Sequence, residues 1–203
     1  MNRRLLIIFA VAAVAGVAAG AFAATMGGRL FQGYRPAIEI PGERVLPDFM
    51  LVDQNGNTFS LASLKGKAVL IYFGYTHCPD VCPLVLSKYK QTIEQLGPDA
   101  DKVAFIFVTV DPERDTPEVM KKYLSYFHEK IIGLSGTPEQ VYAVLKLYNI
   151  FAVKNPPDEK GNYLVDHYAL VMGADRNHVL RIAFTPDMKA EEYVQGTKWL
   201  LAK

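Results

Sequence analysis

The sequence predicts an α/β fold, a central sheet flanked by helices, and three observations carry that prediction. Two runs, 68–73 (Ala-Val-Leu-Ile-Tyr-Phe) and 103–110 (Val-Ala-Phe-Ile-Phe-Val-Thr-Val), are almost continuously apolar. Such runs mark strands covered on both faces, whereas half-exposed strands alternate. Segments between and after them carry apolar residues at helical spacing. Near the C-terminus two more apolar runs flank Ala174-Asp175-Arg176-Asn177, which reads as a hairpin followed by a last helix.

In chain order, an N-terminal hairpin comes first. Residues 48–52 and 58–60 flank Asp53-Gln54-Asn55-Gly56-Asn57, whose Asn-Gly supplies the positive-φ turn residues. The strand at 68–73 follows. From Val81 the apolar positions Val85, Tyr89, Ile93 and Leu96 lie on one helix face, and Gly97-Pro98 ends that helix. After the strand at 103–110, Thr116-Pro117 opens a helix with Val119, Met120, Tyr123, Leu124 and Phe127 on its apolar side. Thr137-Pro138-Glu139-Gln140 is a T-x-x-Q capping box ahead of Val141, Val144, Leu145 and Tyr148. The closing hairpin is predicted at 168–172 and 179–184, and the last helix at 189–201. Strand, helix, strand, helix, hairpin, helix is the order of a thioredoxin-like, peroxiredoxin-related sandwich.

Ahead of this domain, Met1-Asn2-Arg3-Arg4 precedes an uncharged stretch at 5–24 rich in Leu, Ile, Val, Ala and Phe. About 20 such residues cross a bilayer core as a helix. The preferred reading is an uncleaved N-terminal transmembrane anchor. A cleaved signal segment with Ala21-Phe22-Ala23 as its A-x-A site competes with it. Arg3 and Arg4 stay cytoplasmic in either case, so the rest is exported, to the periplasmic side of a bacterial inner membrane or an equivalent compartment. The expected organisation is anchor or signal at 1–24, linker at 25–40 and one domain at 41–203. Lys and Arg total 22 against 21 Asp and Glu. No basic run occurs outside the targeting segment, so nucleic acid is excluded as a partner class.

Cys78 and Cys82 are the only cysteines, in Gly74-Tyr75-Thr76-His77-Cys78-Pro79-Asp80-Val81-Cys82-Pro83. A buried strand feeding a loop and a helix places both at a helix N-terminus, where thiolate is favoured over thiol. A purely stabilising disulfide would contribute only about 2 kcal/mol for so small a ring. Cβ atoms at i and i+4 of a helix are roughly 5–6 Å apart, against about 3.8 Å in a disulfide. Metal bridging tolerates that gap, so a disulfide state and a metal-bound state are both expected, each excluding the other.

Four histidines compete to join the pair. His77 neighbours Cys78, but adjacent side chains diverge, and hydrogen bonding within the loop is its expected task. His128 follows Phe127 at a helix end, where imidazoles serve free carbonyls. His178 belongs to a surface hairpin tip. His167, in Val165-Asp166-His167-Tyr168, leads into the strand expected beside 68–73, where thioredoxin-type oxidoreductases place a cis-proline. It is the one predicted to reach the sulfurs. Two thiolates and an imidazole form a soft set suited to copper(I), and the imidazole also lets it hold copper(II). Closed structural zinc needs four protein ligands, and neither a third cysteine nor a second suitable histidine is present. Asp80, inside the loop, and Asp111, at the end of a central strand, are candidates for partner contact or support of the ligands. Asp115, beside Thr116-Pro117, reads as a helix cap.

The decapeptide from Gly74 to Pro83 resembles the signature of the Sco/SenC family of copper-binding cytochrome c oxidase assembly proteins. Val110-Asp111-Pro112-Glu113-Arg114-Asp115-Thr116-Pro117 resembles that family's second motif, and Asp166-His167 its third. The resemblance spans the chain from about Pro47 onward. It implies a membrane-tethered copper metallochaperone with Cys78, Cys82 and His167 as ligands. Its partner would be the CuA domain of cytochrome c oxidase subunit II, with another copper chaperone or a thiol reductase as further partners. Tyr75 stands where the family often has Phe, and Tyr168 where a small hydroxyl residue is common. Thiol-disulfide exchange through Cys78 and Cys82, reducing the recipient's cysteines, is the alternative function. A peroxiredoxin-like peroxidase is weaker, because Thr76 alone matches the arginine and threonine such enzymes place around the attacking sulfur.

Overall fold

A computed structural model describes residues 38–203. The predicted anchor at 1–24 and most of the linker lie outside the described residues. Among those described, no helix is long and apolar enough to cross a membrane. In chain order the elements are β1 (Met50–Asp53), β2 (Thr58–Ser60), β3 (Ala68–Gly74), α1 (Val81–Leu96), β4 (Val103–Thr109), α2 (Pro117–Leu124) and β5 (Ile131–Ser135). They continue with α3 (Pro138–Leu147), β6 (Ala152–Lys154), β7 (Val165–His167), β8 (Val171–Ala174), β9 (Leu180–Phe184) and α4 (Ala190–Leu201).

Seven strands form one sheet in the order β2-β1-β5-β4-β3-β8-β9. β3 is parallel to β4 and β4 to β5, whereas β1, β8 and β9 run antiparallel to their neighbours. Every residue of β3 and β4 is buried, as their unbroken apolar runs require. Tyr72 stacks on Phe107, and Phe105 meets Tyr89 of α1 edge-on. Phe73, on the opposite pleat, packs against Tyr148 just beyond α3. Outside β9, residues 38–46 bond along its free edge through Ile40 to Arg181 and Leu180 to Arg44, which covers an edge that would otherwise be open.

The helices begin where their caps predict. Thr116 Oγ1 accepts from Val119 N–H at the start of α2, and Thr137 with Gln140 closes a full capping box at α3. α1 ends at Leu96, before Gly97 turns to φ +56°. The structure departs from the sequence expectations at several points. It adds the strand β5, for which no expectation was made. α2 stops at Leu124 rather than reaching Phe127, so His128 lies beyond it, and its Nδ1 accepts from Lys130 N–H at 3.1 Å instead of serving helix carbonyls. The first strand of the closing hairpin begins at Val171, not 168, which leaves His167 outside the main sheet.

His167 instead ends β7, which pairs only with β6 in a separate two-stranded ribbon, Ala152 opposite His167 and Lys154 opposite Val165. The ribbon's tip repeats the N-terminal hairpin's turn. In Asp53-Gln54-Asn55-Gly56-Asn57 the Asp53 carboxylate accepts from the N–H groups of Asn55 and Asn57 and from the Asn57 amide. In Asp158-Glu159-Lys160-Gly161-Asn162 the Asp158 carboxylate accepts from the same three positions. Gly56 and Gly161 take matching φ values of +84° and +82°. The β8–β9 turn is a variant in which His178 occupies the glycine position at φ +60°, and its Nε2 lies 3.2 Å from Leu64 O. His178 is thus buried and not a surface tip residue.

No atom lies within 4 Å of a Cβ added at Gly56 or Gly161, so substitution there tests backbone strain alone. Gly56→Ala and Gly161→Ala are each expected to cost about 1 kcal/mol in urea unfolding. A loss at only one of the two would show that the turns are not equivalent.

Candidate metal and thiol site

The site lies beyond the carboxyl ends of the parallel strands, where open α/β sheets bind ligands. Val110 N–H donates to Gly74 O, so the chain leaving β3 is held beside the chain leaving β4. A tight turn follows, with Cys78 N–H donating to Tyr75 O at 3.3 Å. α1 starts only at Val81, so Cys78 precedes the helix and Cys82 sits in its first turn. Cys82 N–H donates to Cys78 Sγ at 3.5 Å. Both cysteines are free thiols, Cys78 half-buried and Cys82 buried. A methyl group at Gly74 would stand 2.9 Å from Cys82 Sγ and 2.6 Å from the Phe107 ring, so only glycine lets the helix approach the strand this closely.

The two sulfurs are electrostatically unlike, which corrects the expectation that both favour thiolate. The Cys82 thiol donates to Cys78 and, together with the backbone N–H groups of Asp80, Cys82 and Val81, brings the Cys78 thiol down to about 5 against the opposing effect of burial. Cys82 is pushed far up by the neighbouring Cys78 sulfur and by burial, although the Tyr72 hydroxyl opposes this. That hydroxyl donates to Cys82 Sγ at 3.4 Å inside the core.

Asp115 is not a helix cap, because Thr116 does the capping. Its buried carboxylate accepts from Thr76 N–H at 3.1 Å, Thr76 Oγ1 at 2.6 Å and Thr109 Oγ1 at 2.7 Å. Burial raises its pKa while these donors resist the shift. The carboxylate ties the cysteine loop to the end of β4. Asp111 is also buried, accepting from Tyr163 Oη at 2.8 Å and from Arg114 Nε, with the Arg114 guanidinium 3.5 Å from the centre of the Tyr163 ring. It anchors the β6–β7 loop. Asp80 is exposed at the start of α1 and makes no capping bond. Its backbone, not its carboxylate, serves Cys78. His77 stays in the loop, its Nδ1 3.0 Å from Thr76 Oγ1.

His167 is the histidine that reaches the Cys82 sulfur. Its Nδ1 lies 3.0 Å from Val165 O and its Nε2 3.9 Å from Cys82 Sγ. An Nδ1–H donated to that carbonyl leaves the Nε2 lone pair facing the sulfur. With bonds of about 2.3 Å to sulfur and 2.0–2.1 Å to nitrogen, two ligands of one trigonal ion stand about 3.8 Å apart, so the observed gap has the size of an ion's seat. Among the described residues no three His, Cys, Asp or Glu side chains already close up as a metal-holding group. Tyr72 and Tyr75 flank the imidazole, with ring centres at 6.3 and 5.6 Å.

A thioredoxin-like sheet carrying two unlike thiols and an imidazole beyond its parallel strands defines a domain for thiol or soft-metal chemistry. The chain belongs to the SCO1/SenC family, whose model matches residues 39–202. It is 40% identical over 152 residues to an SCO2-like protein of Rickettsia felis, covering 74% of each chain. Among solved structures it resembles Bradyrhizobium japonicum ScoI with copper bound, at 44% identity and a TM-score of 0.72 over 78% of this chain and 100% of that one. Yeast Sco1 with copper bound matches at 34% identity and a TM-score of 0.66, over 75% and 85% of the respective chains.

The asymmetry of the sulfurs is open to direct test. Thiolate absorbance should titrate with a midpoint of about 5 for Cys78. In Cys82→Ala the donor is lost, and the midpoint should move up toward the usual range near 8.5. A wild-type midpoint near that usual value would overturn the assignment.

Proposed function

We propose that this protein is a copper metallochaperone, tethered by its N-terminal segment, whose exported domain holds copper through Cys78, Cys82 and His167. In this reading it passes the ion to the CuA centre of cytochrome c oxidase subunit II. The observation that carries it is the 3.9 Å approach of His167 Nε2 to Cys82 Sγ, with Cys78 hydrogen-bonded to the same residue. Relatives from Bradyrhizobium japonicum and yeast have been solved with copper bound, and this chain offers donor types that suit that ion. Thiolates match copper(I), and the imidazole extends the set to copper(II). Three ligands leave the cargo open to exchange, where a closed four-ligand site would retain it.

The test is copper titration of the chain from Pro36 onward, reduced, with each donor changed in turn. One equivalent should bind. His167→Ala should weaken binding by about 100-fold or more, beyond the 10–100-fold typical of a lost supporting residue. Wild-type affinity in that variant would overturn the three-donor reading.

A second reading is favoured by the thiol asymmetry. Half-buried, thiolate-prone Cys78 would attack one sulfur of a partner disulfide and release the other as thiolate. Cys82, giving up its proton, would then attack Cys78 and free the second partner sulfur, so two electrons pass to the partner and a disulfide is left behind. An external dithiol must reduce it again. Under this reading Cys78→Ser abolishes reduction of a disulfide-bonded subunit II fragment while His167→Ala is nearly silent. Absence of reduction with every dithiol donor would exclude it.

A further inference from the structure

We propose that Tyr75 is the positioning residue for His167, its phenol holding the ribbon strand that carries the imidazole at the level of the cysteine loop. The inference deepens the copper reading and rests on it. β6 and β7 hydrogen-bond as strands only to each other, so no ladder of the main sheet sets the distance from His167 to the sulfurs. That distance depends on side-chain ties. Val165 N–H donates to Tyr75 Oη at 3.2 Å, and both residues are buried. The carbonyl of the same Val165 lies 3.0 Å from His167 Nδ1. One residue therefore has its amide held by Tyr75 and its carbonyl on the imidazole. Tyr75 also faces the ring directly, edge-on at 80° with centres 5.6 Å apart.

The other end of Tyr75 is tied to the sulfurs. Its backbone carbonyl accepts from Cys78 N–H at 3.3 Å, so one residue bonds by main chain to the thiolate's turn and by side chain to the imidazole's strand. Two further ties act on the ribbon, Tyr163 Oη to Asp111 at 2.8 Å from the long loop before β7 and Lys154 Nζ to Glu113 from β6. Removing the Tyr75 oxygen should therefore loosen the imidazole without disturbing the core.

The experiment uses four full-length proteins in detergent micelles: wild type, Tyr75→Phe, His167→Ala and the double variant. In the copper-free proteins, Tyr75→Phe should speed amide exchange at Val165 by about three- to tenfold, the worth of one hydrogen bond, with the amides of β3 and β4 unchanged. On titration with copper(II), Tyr75→Phe should weaken binding by the same factor and move the thiolate-to-copper absorption toward that of His167→Ala. In the His167→Ala background it should do nothing further, because a residue acting only through His167 shows full coupling. Equal losses in both backgrounds, or unchanged exchange at Val165, would overturn the proposal. If wild type shows no copper spectrum that depends on His167, the copper reading itself fails, and the copper-free exchange still decides whether Tyr75 holds the strand.

Discussion

The antiparallel register of β3 against β8, with Tyr72 opposite Val171 and Leu70 opposite Gly173, is the constraint from which the site follows. β3 ends in the cysteine loop, so any chain about to run antiparallel to it must arrive at that same end. His167 lies four residues before Val171, so topology brings it to that end of the sheet, and side-chain ties then set its distance from the thiols. Strands sit about 4.8 Å apart, close enough for an arriving side chain to meet the loop next door. The register itself is pinned by packing. A Cβ at Gly173 would stand 2.5 Å from Ile182 Cγ2 and 3.0 Å from Leu200 Cδ1, so no larger residue can take that place. A slip by one residue would also exchange the two faces of the strand.

What topology brings near, buried polar bonds hold still. Asp115 and Asp111 are both buried, and a buried carboxylate is costly unless its oxygens are bonded. Here the bonding is put to use, since Asp115 grips Thr76 in the cysteine loop and Asp111 grips Tyr163 in the ribbon loop. Both aspartates leave the end of β4, which makes that fully buried strand the common reference for the two halves of the site. Charge-assisted bonds suit this task because they are shorter and stronger than neutral ones.

Where sequence reasoning succeeded, a local signal and the tertiary outcome agreed. The strands at β3 and β4 are long and apolar, α1 begins at Val81 and ends before Gly97, and the helix starts at Thr116-Pro117 and at the Thr137 capping box are read directly from residue type. β5 escaped because Ile131–Ser135 is five residues with a central glycine, too short for a periodic pattern. The ribbon escaped because β6 and β7 have three residues each. Its signal was present nonetheless, since Asp158 to Asn162 repeats the D-x-x-G-N spelling of Asp53 to Asn57. Asp115 was misread because adjacent Thr116 offers the same oxygen to a helix start, and only the fold shows which of them caps. His167 was found because the motif order matched the strand order. Its tie through Tyr75 spans ninety positions and leaves no local trace.

The unlike sulfurs give the site one chemistry at its surface and another beneath. Near neutral pH, Cys78 with its pKa of about 5 carries the charge, and the proton of the pair resides on Cys82. A soft cation taken up by both sulfurs would therefore displace one proton rather than two, which lessens the pH dependence that burdens thiolate sites. The same proton governs exchange. Cys82 becomes the better nucleophile once Cys78 has lost its charge in a mixed disulfide, because the neighbouring sulfur is the largest cause of its raised pKa, with burial adding to it. Capture of a metal and attack on a disulfide thus start from one electrostatic state, and the sulfurs alone do not choose between them. In the proposed copper reading the choice falls to the imidazole, which would complete a ligand set in the first reaction and would have no bond to make in the second.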